Sequence, residues 1–304
     1  MHNLNALLNH VRNKENFNHL VDYLEFGYNA LLYIENNCQV IQACNRDNYY
    51  FFRFGQDAPN QITRPFNGNL LYDSAESYRI DCQEFIELLQ RIREDRGRTI
   101  VSNDRREIIL RVIYTAQQTV GFILDGLPAS QSNTGKKLAG DHFEILMLYV
   151  FNYIGIPVYN GVVKVPIEVD GEASFTVNYQ HDFINADSDG LVNLIGSVKT
   201  TSKDRIDKIF VDKFLYSRLT DTHTPHIGIF LHDVQRKSYK NDPTRFGISS
   251  TFLSGKFKGY TLKLNPLDGV YYLDLNANMM SDPILASQIK TFDKLICEDI
   301  WQYT

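Results

Sequence analysis

The stretch QHDFINADSDGLVNLIGSVKTTSKDRIDKIFVD, residues 180–212, decides the fold of this chain. Two runs typical of β-strands flank a polar turn, and a segment with helical spacing follows them. Alternate residues of a strand share a face, so Ser197 and Lys199 point the same way. Hairpin pairing of the two runs would bring Asp182 near that face. The sequence therefore predicts a carboxylate beside a lysine, close to the start of a helix.

A second carboxylate completes the pattern. Asp212 follows Lys199 on the predicted helix, and with Asp182 it offers the oxygen ligands that Mg²⁺ prefers. A bound metal lowers the pKa of its water, and Lys199 is placed to orient that water. These residues predict phosphodiester hydrolysis. The strand register leaves open whether Asp187 or Asp189, in the polar turn, replaces Asp182 as the metal ligand.

Two neighbouring features add to this hypothesis. Glu144 lies in an apolar helix, where a buried carboxylate is costly unless it is paired or bound to metal; the alternative is a solvent-facing residue in a first turn. Lys203, Asp204 and Arg205 follow the lysine strand. Arginine can bind guanine in a bidentate way and aspartate can accept from cytosine, so this triplet is suited to reading G·C pairs. The alternative is a solvated helix start.

Periodicity along the rest of the chain predicts a mixed central β-sheet flanked by helices, an α/β or α+β fold. Helices are predicted at 3–37, 74–95, 104–124, 141–155, 202–219 and 283–300, strands at 49–54, 162–169, 174–184, 191–200 and 227–231, and a β-meander at 246–275. The polar segment 125–139 looks mobile. It suggests a boundary between a mainly helical N-terminal region, 1–125, and a catalytic domain, 126–304.

Composition limits the function classes. The formal net charge is −5, which argues against non-specific coating of nucleic acid but allows one basic cleft. The four scattered cysteines suggest reduced thiols, and no signal peptide or membrane span is apparent, so a cytoplasmic, soluble protein with no membrane partner is expected. No phosphate-binding loop, serine-hydrolase elbow or zinc-protease spacing occurs.

Taken together, these residues resemble the PD-(D/E)xK nuclease superfamily, and more narrowly the type II restriction endonucleases that cut CCGG or CCNGG sites. In that group Ser-x-Lys replaces acid-x-Lys, as Ser197-Val198-Lys199 does here, and the missing acid comes from a following helix, where Asp212 stands. The triplet 203–205 resembles the group's reader triplet, and 132–144 resembles the segment that leads to a helical Glu. His181 replaces the usual proline, and Lys203 replaces an arginine.

The resemblance implies a restriction-endonuclease-like fold and Mg²⁺-dependent cleavage of double-stranded DNA at a short, G·C-containing palindrome. It implies Asp182, Lys199, Asp212 and Glu144 as catalytic residues, the two aspartates as metal ligands, and a homodimer or tetramer. The N-terminal region would serve dimerisation or clamp DNA. Contacts to the DNA backbone are expected from Lys136, Lys137, Thr200 and Thr201.

Two other functions stay open at this point. A repair or structure-selective nuclease of the same superfamily would carry the same site, and a non-catalytic DNA-binding protein would keep the fold alone. The exact recognition sequence, the position of the cut and the overhang do not follow from the sequence.

Overall fold

A six-stranded sheet with helices on both faces organises the chain, which the computed structural model describes over residues 3–58, 61–98, 100–169, 172–203 and 205–303. The helices are α1 (Leu4–Arg12), α2 (Leu20–Asn37), α3 (Ala75–Asp95), α4 (Asn103–Asp125), α5 (Ser132–Tyr153), α6 (Ile206–Thr220), α7 (Ser254–Lys263), α8 (Ala277–Met280), α9 (Pro283–Ala286) and α10 (Phe292–Cys297). The strands are β1 (Cys38–Gln42), β2 (Tyr49–Phe54), β3 (Phe66–Asn67), β4 (Tyr159–Val169), β5 (Glu172–Ala186), β6 (Val192–Thr201), β7 (His226–His232), β8 (Val234–Tyr239), β9 (Asp242–Ser250), β10 (Gly269–Asp274) and β11 (Ile289–Thr291).

The large sheet has the strand order β11-β10-β7-β6-β5-β4. Strands β4, β5 and β6 are antiparallel neighbours, whereas β6, β7, β10 and β11 run parallel. The carboxyl ends of the parallel strands therefore meet at one edge of the sheet, where ligands bind in open sheets of this kind. The predicted mixed sheet flanked by helices is confirmed.

Alternation along the buried strands divides the core into two layers. On β7, Ile229 and Leu231 join the large cluster formed with α2, α4 and α5, whereas Phe230 joins a smaller cluster with α6 and α7. Strand β10 divides in the same way, with Tyr271 in the first layer and Tyr272 in the second. Every residue of β7 and β10 is buried, as expected for parallel strands covered on both faces.

The N-terminal part is mainly helical, but it also contributes the small antiparallel sheet β1-β2-β3. The large hydrophobic cluster extends from Leu4 in α1 to Ile300 near the C-terminus, so it joins residues from both sides of the predicted boundary at 125/126. None of the described helices is long and apolar enough to span a membrane.

Most predicted elements are confirmed to within a few residues, but the mobile segment predicted at 125–139 is wrong. Helix α5 begins at Ser132 and continues through that segment. Small residues allow the close packing that makes it helical: Gly135 and Ala139 are buried, and the Gln117 side chain donates to the Ala139 carbonyl at 2.8 Å. A Cβ on Gly135 would approach the Leu124 carbonyl oxygen to 3.1 Å.

Two further predictions in the C-terminal part are wrong. The meander predicted at 246–275 contains helix α7, whose Phe257 is fully buried, while Gly255 and Gly259 have open space beside them and do not interrupt the helix. The helix predicted over 283–300 is interrupted, because Ile289–Thr291 adds a parallel strand to β10. Pairing with a sheet edge here overrides the local helical pattern.

Candidate active site

A β-bulge places Asp182 at the edge of the sheet. In the pairing of β4 with β5, Gly161 is opposite His181 and Tyr159 is opposite Ile184, so β5 carries one extra residue between these pairs. Such an insertion bends the strand and re-aims the side chains beside it. The bulge therefore falls at Asp182 and Phe183.

The pairing of β5 with β6 ends at the same place. Their backbone ladder ends at the pair Phe183 and Gly196, and beyond it the Oδ2 of Asp182 accepts a hydrogen bond from the Val198 N–H at 2.8 Å. Gly196 is required here, since a Cβ would lie 1.9 Å from the Phe183 ring. The carboxylate is therefore fixed by the backbone of the strand that carries Lys199.

Lys199 is held between two carboxylates. Its Nζ donates to Asp182 and lies 3.1 Å from the Oε1 of Glu144 on α5. All three side chains are between 18% and 25% exposed, so they are largely withdrawn from water but still reachable. Three residues distant in sequence thus form one cluster, hereafter the Lys199 cluster.

Burial and charge act against each other on Glu144. Burial raises the pKa of its carboxyl group, and the neighbouring charge of Asp182 raises it further, while Lys199 opposes both effects. The lysine is therefore what allows two carboxylates to stay close together. The alternative that Glu144 faces solvent in a first turn is not what the structure shows: the residue lies in the fourth turn of α5 and is half-buried.

A cavity of about 220 Å³ opens beside this cluster. Its lining combines Asp182 and Lys199 with residues of the next helix and strand, namely Gln180, Ser197, Arg205, Lys208, Ile209 and Asp212. The structure thus brings Asp212 to the same cavity as Asp182. Its carboxylate pairs with the Nζ of Lys208 at 2.6 Å, one turn earlier on α6.

The carboxylates of this cavity suit a hard cation. Among the described residues no group of three or more His, Cys, Asp and Glu side chains is arranged to bind a metal. Mg²⁺ does not need such a group, because it is usually held by one or two carboxylates, several waters and substrate phosphates. Asp182 and Asp212 are the carboxylates of this cavity that could serve in that way, although each pairs with a lysine in this structure.

Of the predicted DNA-contacting residues, Arg205 alone is part of the described lining of this cavity. The Nζ of Lys203 lies 3.5 Å from the Oε1 of Gln235 on β8. Asp204 lies outside the described residues. The remaining predicted contacts are Thr200 and Thr201 at the end of β6 and two exposed lysines, Lys136 and Lys137, at the start of α5.

The helix geometry relates those lysines to the cluster. Lys137 precedes Glu144 by two helical turns and lies on the same side of α5, about 10 Å away along the axis.

The two aspartates of the β5–β6 turn lie away from the cavity. The Oδ1 of Asp187 accepts from the N–H groups of Asp189 and Leu191 at 2.9 Å, which closes the turn. Neither aspartate lines the cavity.

Two polar residues of the cavity were not predicted from the sequence. Gln180 precedes Asp182 by two positions on β5, and Lys208 precedes Asp212 by one helical turn. Residues two apart on a strand or four apart on a helix share a face, so the sequence spacing alone could have predicted both residues. The bulge next to His181 could not be predicted in this way, because it depends on the pairing of β5 with β4.

Comparison with known proteins supports the fold. No protein-family model matches the sequence, and no curated protein matches it. Among solved structures, the chain is similar to the type IIP restriction endonuclease Kpn2I, with 17% identity and a TM-score of 0.71 over 100% of this chain and 98% of that one. It is more loosely similar to a complex of the restriction endonuclease PspGI with substrate DNA, with 14% identity and a TM-score of 0.41 over 73% of this chain and 92% of that one. The likeness to Kpn2I shows that this chain has a restriction-endonuclease-like fold.

Proposed function

We propose that this protein is a type II restriction endonuclease that hydrolyses phosphodiester bonds of double-stranded DNA with Mg²⁺. The observation that carries the proposal is the Lys199 cluster, in which Asp182 and Glu144 hold one lysine beside a cavity at the edge of a restriction-endonuclease-like sheet. A structural ion pair would not need a cavity, whereas a reacting phosphate does. The full-length likeness to a type IIP enzyme supports the same activity.

Asp182 and Asp212 are the residues that would hold Mg²⁺ in this proposal. When bound, the metal supplies a water of lowered pKa and neutralises charge on the phosphate. The Val198 N–H keeps the carboxylate of Asp182 aimed into the cavity without any metal. This prior orientation reduces the cost of assembling the site when DNA arrives.

Lys199 has the central role among the protein's own groups. Its Nζ would donate a hydrogen bond to the attacking water, so that a lone pair of that oxygen faces the phosphorus. Its charge would also offset the negative charge that grows on the phosphate oxygens. Glu144 contacts Lys199 but does not itself line the cavity, so we assign it to holding the lysine in place.

Sequence recognition is proposed for the segment that follows β6. Arg205 lines the cavity and is exposed, so its guanidinium can reach a base edge while the phosphate lies near Lys199. Lys203 and Asp204 complete the proposed reader of G·C pairs. A palindromic site would be read by a two-fold assembly, so we expect a homodimer or a tetramer.

The experiment is cleavage of unmethylated plasmid and phage DNA with Mg²⁺ and, separately, with EDTA. Discrete Mg²⁺-dependent fragments are expected, and mapping their ends gives the site. Asp182→Asn should remove cleavage and keep DNA binding, because it removes metal affinity and negative charge near the phosphate. Asp187→Asn is the matched control: an amide oxygen can still close the turn, so cleavage should persist.

Other outcomes would contradict the proposal in different ways. A smear or nicking in place of fragments indicates a repair or structure-selective nuclease. Binding of duplex DNA without any cleavage indicates a non-catalytic protein of this fold. Cleavage by Asp182→Asn at the wild-type rate would show that the site lies elsewhere.

A further inference from the structure

The strands β8 and β9 form a separate two-stranded ribbon beside the large sheet. Tyr239 pairs with Asp242, so Lys240 and Asn241 alone make the turn. The ribbon, residues 234–250, contains four basic residues and one acidic residue, although the whole chain is acidic. The ribbon therefore carries a net positive charge in a chain whose net charge is negative.

One face of the ribbon is packed against the small N-terminal sheet. Val234 and Ile248 are buried with Ala43, Tyr49 and Phe51. Because alternate residues of a strand share a face, this inner face also carries Arg236, whose guanidinium donates to the Ile62 carbonyl at 2.7 Å. The inner face is therefore occupied by protein contacts.

The outer face of the ribbon is basic and exposed. Lys237 and Arg245 both lie over the Tyr239 ring, with their charged groups 5.3 Å from its centroid. Both side chains are exposed, and in the described part of the chain Lys237 and Lys240 form no ion pair. The Thr244 hydroxyl donates to Asp242 at 2.6 Å, and this hydrogen bond, with a smaller effect of the nearby Arg245, lowers the pKa of the Asp242 carboxyl group.

The outer face points toward the proposed reader segment. Gln235 shares this face with Lys237, and its Oε1 is the atom 3.5 Å from the Nζ of Lys203. Lys237, Lys240 and Arg245 thus form one series of cations on the ribbon, hereafter the ribbon stripe. It begins two residues after Gln235, which Lys203 contacts, and leads outward to the ribbon turn.

The base of the ribbon is fixed to the catalytic edge. The Asp233 carbonyl accepts from both the N–H and the hydroxyl of Thr251, and the Thr251 hydroxyl lies 3.2 Å from the Ser202 hydroxyl. The side chain of Asp233 accepts from the Ser250 hydroxyl at 2.6 Å. Because the ribbon is held at its base, it keeps a defined position relative to the Lys199 cluster.

We propose that the ribbon stripe binds the phosphate backbone of duplex DNA that flanks the cleaved site. The inference rests on the proposed function and deepens it, because it assigns a DNA contact to an element outside the site. Phosphate neutralisation by lysine and arginine accounts for most sequence-independent affinity, and each contact adds to the salt dependence of binding. The stripe contacts no reacting atom, so it contributes to binding and not to the chemical step.

The experiment compares wild type with Lys237→Gln/Arg245→Gln. Binding is measured without cleavage, in EDTA, on a duplex that carries the mapped site, over a range of salt concentrations. The variant should bind roughly tenfold more weakly at moderate salt, and the slope of log K against log salt should become smaller by about 2. Its kcat in Mg²⁺ at saturating DNA should equal that of wild type.

The matched control is Arg96→Gln/Arg98→Gln. It also removes two positive charges, just after α3, where Arg96 lines a cavity with Trp301 and Asn193 at the opposite end of β6 from Lys199. It should leave the slope unchanged. Duplexes trimmed to the bare site should also abolish the difference between wild type and the ribbon variant, because the flanking phosphates are gone.

The outcomes separate the two proposals. A ribbon variant with wild-type affinity and salt slope, in an enzyme that cleaves DNA, overturns the ribbon contact alone. An equal loss for the control variant overturns it too, because the effect would then be one of net charge. A wild-type protein that neither binds nor cleaves duplex DNA removes both proposals.

Discussion

Two acidic clusters lie at the same edge of the sheet and differ in what surrounds them. In the Lys199 cluster, Asp182 faces a cation and an open cavity. At the end of β10, Asp274 is 2% exposed and accepts hydrogen bonds from the Tyr49 hydroxyl and the Asn67 amide, both at 2.8 Å. The first carboxylate is balanced by charge, whereas the second is satisfied by neutral donors.

The surroundings of the two carboxylates indicate how each is used. An ionised carboxylate without a cation is expensive to bury, so burial raises the pKa of Asp274 to about 6 despite its two donors. Such a group ties the small N-terminal sheet to the large one and suits structure. A carboxylate beside Lys199 at the wall of a cavity is instead placed to meet a ligand. Position at the sheet edge alone does not identify a catalytic acid.

The largest expected effect comes from Lys199→Met, which removes the cation and keeps a similar side-chain length. Cleavage under saturating DNA should fall by roughly 10³-fold or more, because a preorganised charge at the reacting phosphate is lost. Single-turnover cleavage of the mapped duplex measures this loss. DNA binding in EDTA should persist, which separates a chemical defect from a binding defect.

Lys213→Met is the control that separates a loss of stability from a loss of catalysis. Lys213 is also a buried lysine bound to a carboxylate, since its Nζ lies 2.8 Å from the Oδ2 of Asp268, but it is not part of the cavity lining. Breaking such a buried pair should lower the free energy of unfolding by about 3 kcal/mol. The folded fraction should cleave at the wild-type rate. Equal losses of cleavage in both variants would mean that Lys199 acts only through stability.

Burial of Asp274 makes the stability of the folded protein depend on pH. The folded-state pKa of Asp274 lies above its ordinary value of 3.8, so the folded protein retains a proton there that the unfolded chain has already released. The contribution of Asp274 to stability is therefore full below about pH 4 and lost as pH rises through about 6. This loss amounts to about 3 kcal/mol.

Asp274→Asn should remove that dependence. Urea unfolding of both proteins between pH 4 and pH 8 should show the variant gaining about 3 kcal/mol relative to wild type over this range. Tyr49→Phe should move the transition to higher pH, because the Tyr49 hydroxyl stabilises the ionised form. Identical pH profiles for wild type and Asp274→Asn would show that this carboxyl group is ionised throughout. Cleavage at neutral pH should be retained in the variant.

The two clusters also differ in how far the sequence predicts them. Asp182 and Lys199 belong to one hairpin, and local spacing was enough to predict that they lie side by side. Asp274 finds its donors 225 and 207 positions earlier in the chain, at Tyr49 and Asn67, and no local pattern relates them. Helix α5 shows the same limit, because the polar residues at its start become helical only through packing of Gly135.

The smallest of the expected effects is that of Glu144→Gln. Glu144 contacts Lys199 but does not itself line the cavity. Loss of such a supporting partner typically costs about 10- to 100-fold in activity. We expect a loss of that size in single-turnover cleavage, with Mg²⁺ dependence retained. The amide oxygen can still accept from Nζ, so the loss of activity measures what the negative charge of Glu144 contributes.

A double variant shows whether Glu144 acts through the lysine. If it does, Glu144→Gln/Lys199→Met should cleave no more slowly than Lys199→Met alone, because the positioned group is already absent. Losses that multiply would instead mean that Glu144 contacts the metal, the water or the phosphate on its own account. Glu144 would then be a catalytic residue in its own right, and the Lys199 cluster would contain two independent functional groups in place of one lysine with two supports.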